Sequence, residues 1–419
     1  MLHCGIRQAL VVGAGRAIRL AMVVHSDSAA GNAVPRRTGA MALALLFLVE
    51  SMARASVSTV VAVQAFALVQ DAQKVSMLFT GVGIVALFTS LMIPMALRHV
   101  PRGQVYAGGA LLMLVSALAF ASFTLPGQMA GMLLRVVGAA CLNITLSLYI
   151  MDHIKRQELV KSEPLRLTLS TASWTIGPYL GIWLYTDYGP WAPHAVSGFW
   201  CIVLLGLFWY LGVEAGARRA SSSSSHPLRS VSRFVAQPRL RLAWMVAFSR
   251  SCFWTVFFVY SPLLLLTSGL SAKAGGLLVS LGNVTLVTAL LFGTLAQKVG
   301  VRSVIAGAMI VSAVLSLFAG LSGLYAMPVL AAVLLWVATI AASALDGVGG
   351  IPFLRSVRVH ERAEMSGVYR TYLDFSELLP NVIFSVALLM MPIAGVFIIL
   401  AVWLALAGWV SWRYLPRSM

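Results

Sequence analysis

The sequence predicts an all-α membrane protein with twelve transmembrane helices in two pseudo-symmetric six-helix bundles. Of its 419 residues, 60% are hydrophobic and 10% are charged, whereas soluble globular proteins carry about 25% charged residues. Apolar runs long enough to cross a bilayer, about 20 residues each, recur regularly after residue 38. Together these observations exclude an ordinary water-soluble enzyme.

The apolar runs place the spans in order along the chain. The first six lie near residues 40–66, 75–98, 104–124, 128–151, 167–186 and 195–213. The second six lie near residues 242–267, 274–297, 302–321, 326–351, 367–390 and 395–414. The apolar run from Leu379 to Val410 is too long for one span and too short for two. Span 11 is therefore expected to begin near Gly367, which draws Asp374 and Glu377 into the membrane.

Composition divides the chain into four regions. Residues 1–38 form a basic N-terminal extension and residues 39–213 form the first six-helix half. A Ser-rich and Arg-rich stretch at 214–241 is expected to be a flexible cytoplasmic linker. Residues 242–419 form the second six-helix half.

The basic residues predict the orientation of the chain. Lys and Arg accumulate in cytoplasmic loops, and most of the 30 basic residues lie in loops on one side, which is also the side of both termini. Only Lys74 and Lys273 lie in loops on the other side. Both termini are therefore expected in the cytoplasm of a bacterium, with the protein in the plasma membrane (the inner membrane if Gram-negative). This bias explains the net charge of +17 without a nucleic-acid partner.

The sequence gives little support for metal binding, disulfide formation or catalysis. The four cysteines are far apart, and the histidines lie outside the spans or at their ends with no metal-binding spacing. No metal, cofactor or enzyme activity is expected.

Ionisable residues inside the spans are candidates for a transport pathway, because charge is costly in a bilayer. Glu50 and Arg54 are four residues apart, so they either neutralise each other structurally or face a cavity. Arg135 in span 4 has no acidic neighbour on its own helix and needs a partner elsewhere. Asn143 falls close to the same face as Arg135, although an interhelical hydrogen bond is an equal alternative. Arg250 lies among aromatic residues in span 7.

Span 11 carries the densest cluster of such residues. Arg370, Asp374 and Glu377 fall at spacings of four and three, which predicts one shared helix face. Two carboxylates a turn apart cannot both stay ionised easily in an apolar medium, which is typical of a proton-binding site. Alternatively, Arg370 neutralises both near the cytoplasmic boundary. Asp346 in span 10 is a weaker candidate, because it is expected near the membrane edge.

Three local patterns after residue 38 resemble motifs of the major facilitator superfamily. The span 8–9 loop, with Gly293, Gln297, Gly300 and Arg302, resembles the gating loop G-x-L-a-D-r-x-G-r-R, with Gln in place of Asp. In span 4, Arg135 and Gly138 resemble the R-x-x-x-G motif associated with proton coupling, with two residues between them in place of three. The span-5 residues Gly177, Pro178 and Gly181 resemble the G-P-x-x-G core of drug:proton antiporters.

The resemblance implies a secondary transporter that alternates access by rocking its two halves. The expected function is proton-coupled efflux of a small organic solute, with the solute, protons and lipid as partners of a monomeric protein. Proton-coupled uptake of an organic anion is an alternative, because Arg54, Arg135 and Arg250 suit a negative group. A non-transporting receptor or scaffold is a further alternative.

Overall fold

The structure is a computed structural model that describes residues 40–153, 156–212, 227–358 and 361–416. The N-terminal extension and residues 214–226 of the predicted linker lie outside this range. The rest of the predicted linker, residues 227–241, forms one short helix and the beginning of the next. The described residues contain helices and no strand, which confirms the all-α prediction.

The described part of the first half forms helices joined by short turns. They are α1 (Ala40–Ala55), α2 (Ser58–Val69), α3 (Ala72–His99), α4 (Arg102–Ala121), α5 (Leu125–His153), α6 (Arg156–Asp187) and α7 (Ala192–Leu211). Spans 1 to 6 are α1 with α2, then α3, α4, α5, α6 and α7. Span 1, predicted as one helix, is interrupted between Ala55 and Ser58.

The described part of the second half is also helical. Its helices are α8 (Pro227–Val235), α9 (Pro238–Thr267), α10 (Ala272–Val284), α11 (Ala289–Val299), α12 (Val301–Leu324), α13 (Pro328–Val348), α14 (Ile351–Ser356), α15 (Arg362–Tyr369), α16 (Thr371–Ala387) and α17 (Gly395–Tyr414). Spans 7 to 12 are α9, α10 with α11, α12, α13 with α14, α16, and α17. A 3₁₀ turn at Thr285–Thr288 joins α10 to α11.

Ten helical stretches in the described chain are long and apolar enough to cross a membrane. The remaining predicted spans are 5 and 11, formed by the relatively polar α6 and by α16 with 17 residues. Both helices pack between the two halves: span 5 against spans 1 and 8, and span 11 against spans 2 and 7. A helix enclosed by other helices exposes little surface to lipid, so it needs less apolar sequence than a peripheral span.

The two ends of the bundle differ in charge and in packing. The basic end carries His99, Arg102, Lys298 and Arg413, and the distal end carries Gln70, Phe123, Tyr188 and Tyr325. A large apolar cluster crosses from the first half to the second: Ala65 and Val75 pack with residues of spans 7, 8 and 12. Ala65 lies in α2 and Val75 begins α3, so this cluster joins the halves near the distal end.

Labelling tests this topology. We expect a single cysteine at Tyr325, which is 76% exposed in the span 9–10 turn, to react with a membrane-impermeant thiol reagent added to intact cells. A single cysteine at Ala236, exposed between α8 and α9, is expected to react only after the membrane is opened. Reaction of both positions in intact cells contradicts the twelve-span topology.

Candidate functional site

The break in span 1 creates the first element of the site. Where a helix stops, its last carbonyl groups lose their intrahelical partners. Arg135 Nη2 donates to the Arg54 carbonyl oxygen at 2.7 Å, and Ser197 Oγ donates to the Ala53 carbonyl oxygen at 2.7 Å. A cation at a helix C-terminus also interacts favourably with the helix dipole. The partner of Arg135 is therefore the backbone of span 1, which the sequence could not show because the break has no Gly or Pro to mark it.

The span-5 motif packs directly against this break. A Cβ added at Gly177 would overlap the Cβ and carbonyl carbon of Ala55, and one added at Gly181 would overlap the carbonyl oxygen of Ser56. Ile182 of span 5 and the Pro178 carbonyl oxygen lie beside Gly276 of span 8. The motif thus lets span 5 approach span 1 within the first half and span 8 of the second half.

The predicted pair in span 1 lies inside the protein. Arg54 Nη1 is 3.3 Å from Glu50 Oε1, with the Glu50 side chain 1% exposed and the Arg54 side chain 26% exposed. The Arg54 guanidinium carbon is 6.0 Å from the centroid of the Trp174 ring in span 5. Such a distance allows a cation–π attraction. Arg54 therefore contacts a carboxylate on its own helix and an aromatic ring on another.

A second pair occupies the corresponding place in the second half. Arg250 Nη1 of span 7 is 2.5 Å from Asp346 Oδ1 of span 10, and Trp254 Nε1 donates to Asp346 Oδ2 at 2.9 Å. The Arg250 guanidinium carbon is 5.7 Å from the centroid of the Tyr372 ring in span 11. Asp346 lies well inside the apolar stretch Pro328–Ser356. Arg250 offsets the charge of Asp346 within the bundle.

Span 11 places its two carboxylates in different surroundings. Asp374 Oδ1 accepts a hydrogen bond from Ser90 Oγ of span 2 at 2.8 Å. The Glu377 side chain is exposed and lies within electrostatic range of Arg54 in the first half. Within the described chain, no basic nitrogen lies within 4.0 Å of its carboxylate. The helix predicted to run continuously from Gly367 is interrupted at Arg370. Arg370 is exposed at this junction of α15 and α16.

The other predicted residues are dispersed. Asn143 is half-buried, and no hydrogen bond from its side chain to Arg135 occurs among the described residues. In the predicted gating loop, Gln297 is exposed and Gly293 has open space around it. Gly300 has φ +88°, a conformation that L side chains rarely adopt. The Arg302 guanidinium carbon lies 4.7 Å from the centroid of the Trp412 ring, which ties the loop to span 12.

Sequence reasoning missed the polar contacts that join the halves toward the distal end. Ser76 of span 2, Tyr260 of span 7 and Asn381 of span 11 form a buried hydrogen-bonded group. At the surface, Lys273 Nζ is 2.6 Å from Asp187 Oδ1 and lowers the pKa of that carboxyl group. Single hydroxyls and amides in apolar runs give no periodic signal, so only the packing of distant spans identifies them.

The packing of span 5 on span 1 gives a direct test. Gly181→Ala is expected to lower the free energy of unfolding by about 1–3 kcal/mol, because the new methyl group overlaps a backbone oxygen that cannot move freely. Gly206→Ala is the matched control, since it adds a methyl group to a helix position with no atom within 4 Å. Thermal unfolding of the two purified variants in detergent compares them. Equal melting temperatures contradict the close-approach role of Gly181.

Comparisons with known proteins agree with this architecture. The sequence model of the Major Facilitator Superfamily matches residues 43–379. The solved structure of the nucleoside transporter NupG is similar with a TM-score of 0.67 at 15% identity, covering 90% of this chain and 99% of that chain. A POT family transporter in complex with 5-aminolevulinic acid gives a TM-score of 0.73 at 12% identity, covering 88% and 94%. Comparison with curated protein sequences gives no match.

At these identities the solved structures show a shared fold and no shared substrate. The family model matches the sequence itself from the first span into span 11, so the match includes both halves and shows family membership. The chain belongs to the Major Facilitator Superfamily, and it is a multi-pass membrane transporter rather than an enzyme.

Proposed function

We propose that this protein exports a small organic solute in exchange for protons across a bacterial plasma membrane, the inner membrane in a Gram-negative cell. It acts as a monomer with both termini in the cytoplasm. The observation that carries the proposal is Glu377, an exposed carboxylate without an ion-pair partner in the described chain.

Glu377 differs from the other carboxylates at this level. Glu50 is paired with Arg54, Asp346 is paired with Arg250, and Asp374 accepts a hydrogen bond from Ser90. A coupling carboxylate has to gain and lose its proton during the cycle, so it needs access to water and no permanent cation within contact distance. Glu377 is exposed and has no cation within contact distance among the described residues, while Arg54 in the first half lies close enough to respond to its charge.

The balance of charge favours a solute that is not an anion. Three guanidinium groups, those of Arg54, Arg135 and Arg250, lie at this level together with four carboxylates. Each guanidinium already has a partner: Glu50, the Arg54 carbonyl oxygen and Asp346, respectively. An organic anion would have to displace these partners, which weakens the alternative of anion uptake. Half-buried rings of Trp174, Phe258 and Tyr372 supply apolar contact area instead.

The direction of transport rests on two supporting features. The basic residues indicate that the basic end faces the cytoplasm, so Glu377 and its surroundings are reached from inside while the distal contacts hold the halves together. The close packing of Gly177 and Gly181 on span 1 gives a structural role to the motif that resembles drug:proton antiporters. The resemblance of this motif to drug:proton antiporters favours export, and access from the basic end agrees with uptake of the solute from the cytoplasm.

Neutralising Glu377 tests proton coupling. Glu377→Gln keeps the size of the side chain and mimics the protonated state permanently, so transport driven by a pH gradient is expected to fall to background. Exchange of labelled for unlabelled solute in proteoliposomes needs no net proton movement and is expected to continue. The solute for both assays is the compound to which cells lacking the protein become most sensitive.

Asp71→Asn is the matched control, because Asp71 caps span 2 at the distal end and an Asn side chain can also accept the bond from the Gln73 N–H. This variant is expected to keep both activities. Gradient-driven transport by Glu377→Gln at the wild-type rate contradicts the proton role. Absence of exchange in the unmodified protein would instead indicate a receptor or scaffold.

The pH dependence of transport gives a second test. Lys273 lowers the pKa of Asp187 below its ordinary value, so this bridge stays ionised from about pH 5 to 8 and is lost only as the pH falls through the lowered value. Asp187→Asn is therefore expected to leave the shape of the pH–rate curve unchanged over that interval. Glu377→Gln is expected to flatten the curve for exchange. If Asp187→Asn alone changes the shape of the pH–rate curve, then the group whose titration controls transport lies at the distal end.

A further inference from the structure

A hydrogen-bonded group of three side chains crosses the seam between the two halves. Ser76 of span 2 and Tyr260 of span 7 are both 0% exposed, and Asn381 of span 11 is 2% exposed. The Tyr260 hydroxyl lies 2.7 Å from Ser76 Oγ and donates to Asn381 Oδ1 at 2.7 Å. Ser76 Oγ lies 2.9 Å from the Asn381 carbonyl oxygen, and its single proton is donated either to that oxygen or to the Tyr260 hydroxyl. We call Ser76, Tyr260 and Asn381 the seam triad.

The seam triad stabilises only a closed distal end. Ser76 belongs to the first half and the other two belong to the second, so separating the halves breaks the bonds to Ser76. A buried polar group without a partner is costly, and the surrounding cluster is apolar. The bonds can therefore be exchanged only for water that enters as the seam opens. Such a contact has two arrangements, closed and dry or open and hydrated.

Asn381 connects the seam triad to Glu377. It follows Glu377 by one turn, and its Nδ2 donates to the Glu377 carbonyl oxygen at 2.6 Å. Pro380 lies between them and has no N–H group, so it removes one helical hydrogen bond from this turn. The turn that carries Glu377 is thus held in part by the same amide group that binds Tyr260. A shift of this turn on protonation would move Asn381.

We propose that the seam triad is the latch that keeps the distal end closed while Glu377 is open to the basic end, and that Asn381 transmits the protonation state of Glu377 to it. Tyr260 and Asn381 are thereby positioning residues for coupling. The inference deepens the proposed function, because it rests on Glu377 as the proton site.

A cysteine reporter in the seam tests the latch. Ala65 is 0% exposed in the cluster that joins the halves, and Ala65→Cys adds a small thiol there. The full-length protein in intact cells is treated with a membrane-impermeant thiol reagent, and labelling at each cysteine is quantified by peptide mass spectrometry. Native Cys201, which is 0% exposed in the core of the first half, reports general loosening of the fold.

Removal of the Tyr260 hydroxyl is the central variant. Tyr260→Phe keeps the ring that packs on Phe384 and deletes the bonds to Ser76 and Asn381, so the rate of labelling at residue 65 is expected to rise roughly tenfold. Ser76→Ala removes both contacts that cross the seam, those to the Tyr260 hydroxyl and to the Asn381 carbonyl oxygen, and is expected to give a larger rise. Tyr106→Phe is the matched control: Tyr106 is equally buried, and its hydroxyl has no hydrogen-bond partner within the described chain. Cys201 is expected to stay unlabelled in all three variants.

The connection to Glu377 is tested by combining variants. Glu377→Gln is expected to raise labelling at residue 65, and adding it to Ser76→Ala is expected to have no further effect, because both contacts of the latch across the seam are already absent. The inference is overturned if Tyr260→Phe leaves labelling at residue 65 unchanged, if Cys201 labels in parallel, or if Glu377→Gln and Ser76→Ala act additively.

These outcomes separate the latch from the proposed function. Unchanged labelling in Tyr260→Phe, together with loss of gradient-driven transport in Glu377→Gln, removes the latch and keeps the proton site. Additive effects on labelling, with normal gradient-driven transport in Glu377→Gln, remove both.

Discussion

The cost of placing ionised groups in an apolar membrane governs the interior of this protein. A charged side chain near the centre of a bilayer costs about 2.5–3.5 kcal/mol on insertion scales, so each one needs a partner or access to water. Arg54 and Arg250 each have a carboxylate partner, and Arg135 has a backbone carbonyl oxygen. The two halves solve the problem in parallel, with an arginine of span 1 or span 7 paired to a carboxylate and lying near an aromatic ring of span 5 or span 11.

The break in span 1 follows from the same requirement. An uninterrupted helix would offer Arg135 no backbone acceptor, because its carbonyl groups would bond within the helix. The interruption after Ala55 supplies that acceptor. The two glycines of span 5 let span 5 pack closely against the interruption. The G-P-x-x-G pattern therefore has a packing explanation that does not depend on the substrate. Such a role is compatible with transporters of many solutes sharing one fold.

Much of the fold could be predicted from the sequence, because hydropathy and the distribution of Lys and Arg act over whole spans. The Glu50–Arg54 contact could also be anticipated, since both residues lie on one helix four positions apart. The Arg250–Asp346 pair could not, because it depends on how spans 7 and 10 pack. Likewise, nothing local marks the interruption of span 1 or the junction at Arg370. A single sequence does not show which residues on different helices pair with each other.

The least apolar spans lie where the two halves meet, and this placement has a functional reason. Spans 5 and 11 carry the polar and proline-containing turns that lipid would not tolerate well, and each packs on helices of both halves. Pro380 removes the bond that an N–H would make to the Ser376 carbonyl oxygen, while the Asn381 amide group adds a bond to the neighbouring Glu377 carbonyl oxygen. A rigid apolar helix there would hold the seam equally well but could not respond to a proton. Under the proposal that Glu377 carries the coupling proton, this turn of span 11 is where a local charge change reaches a contact between the halves.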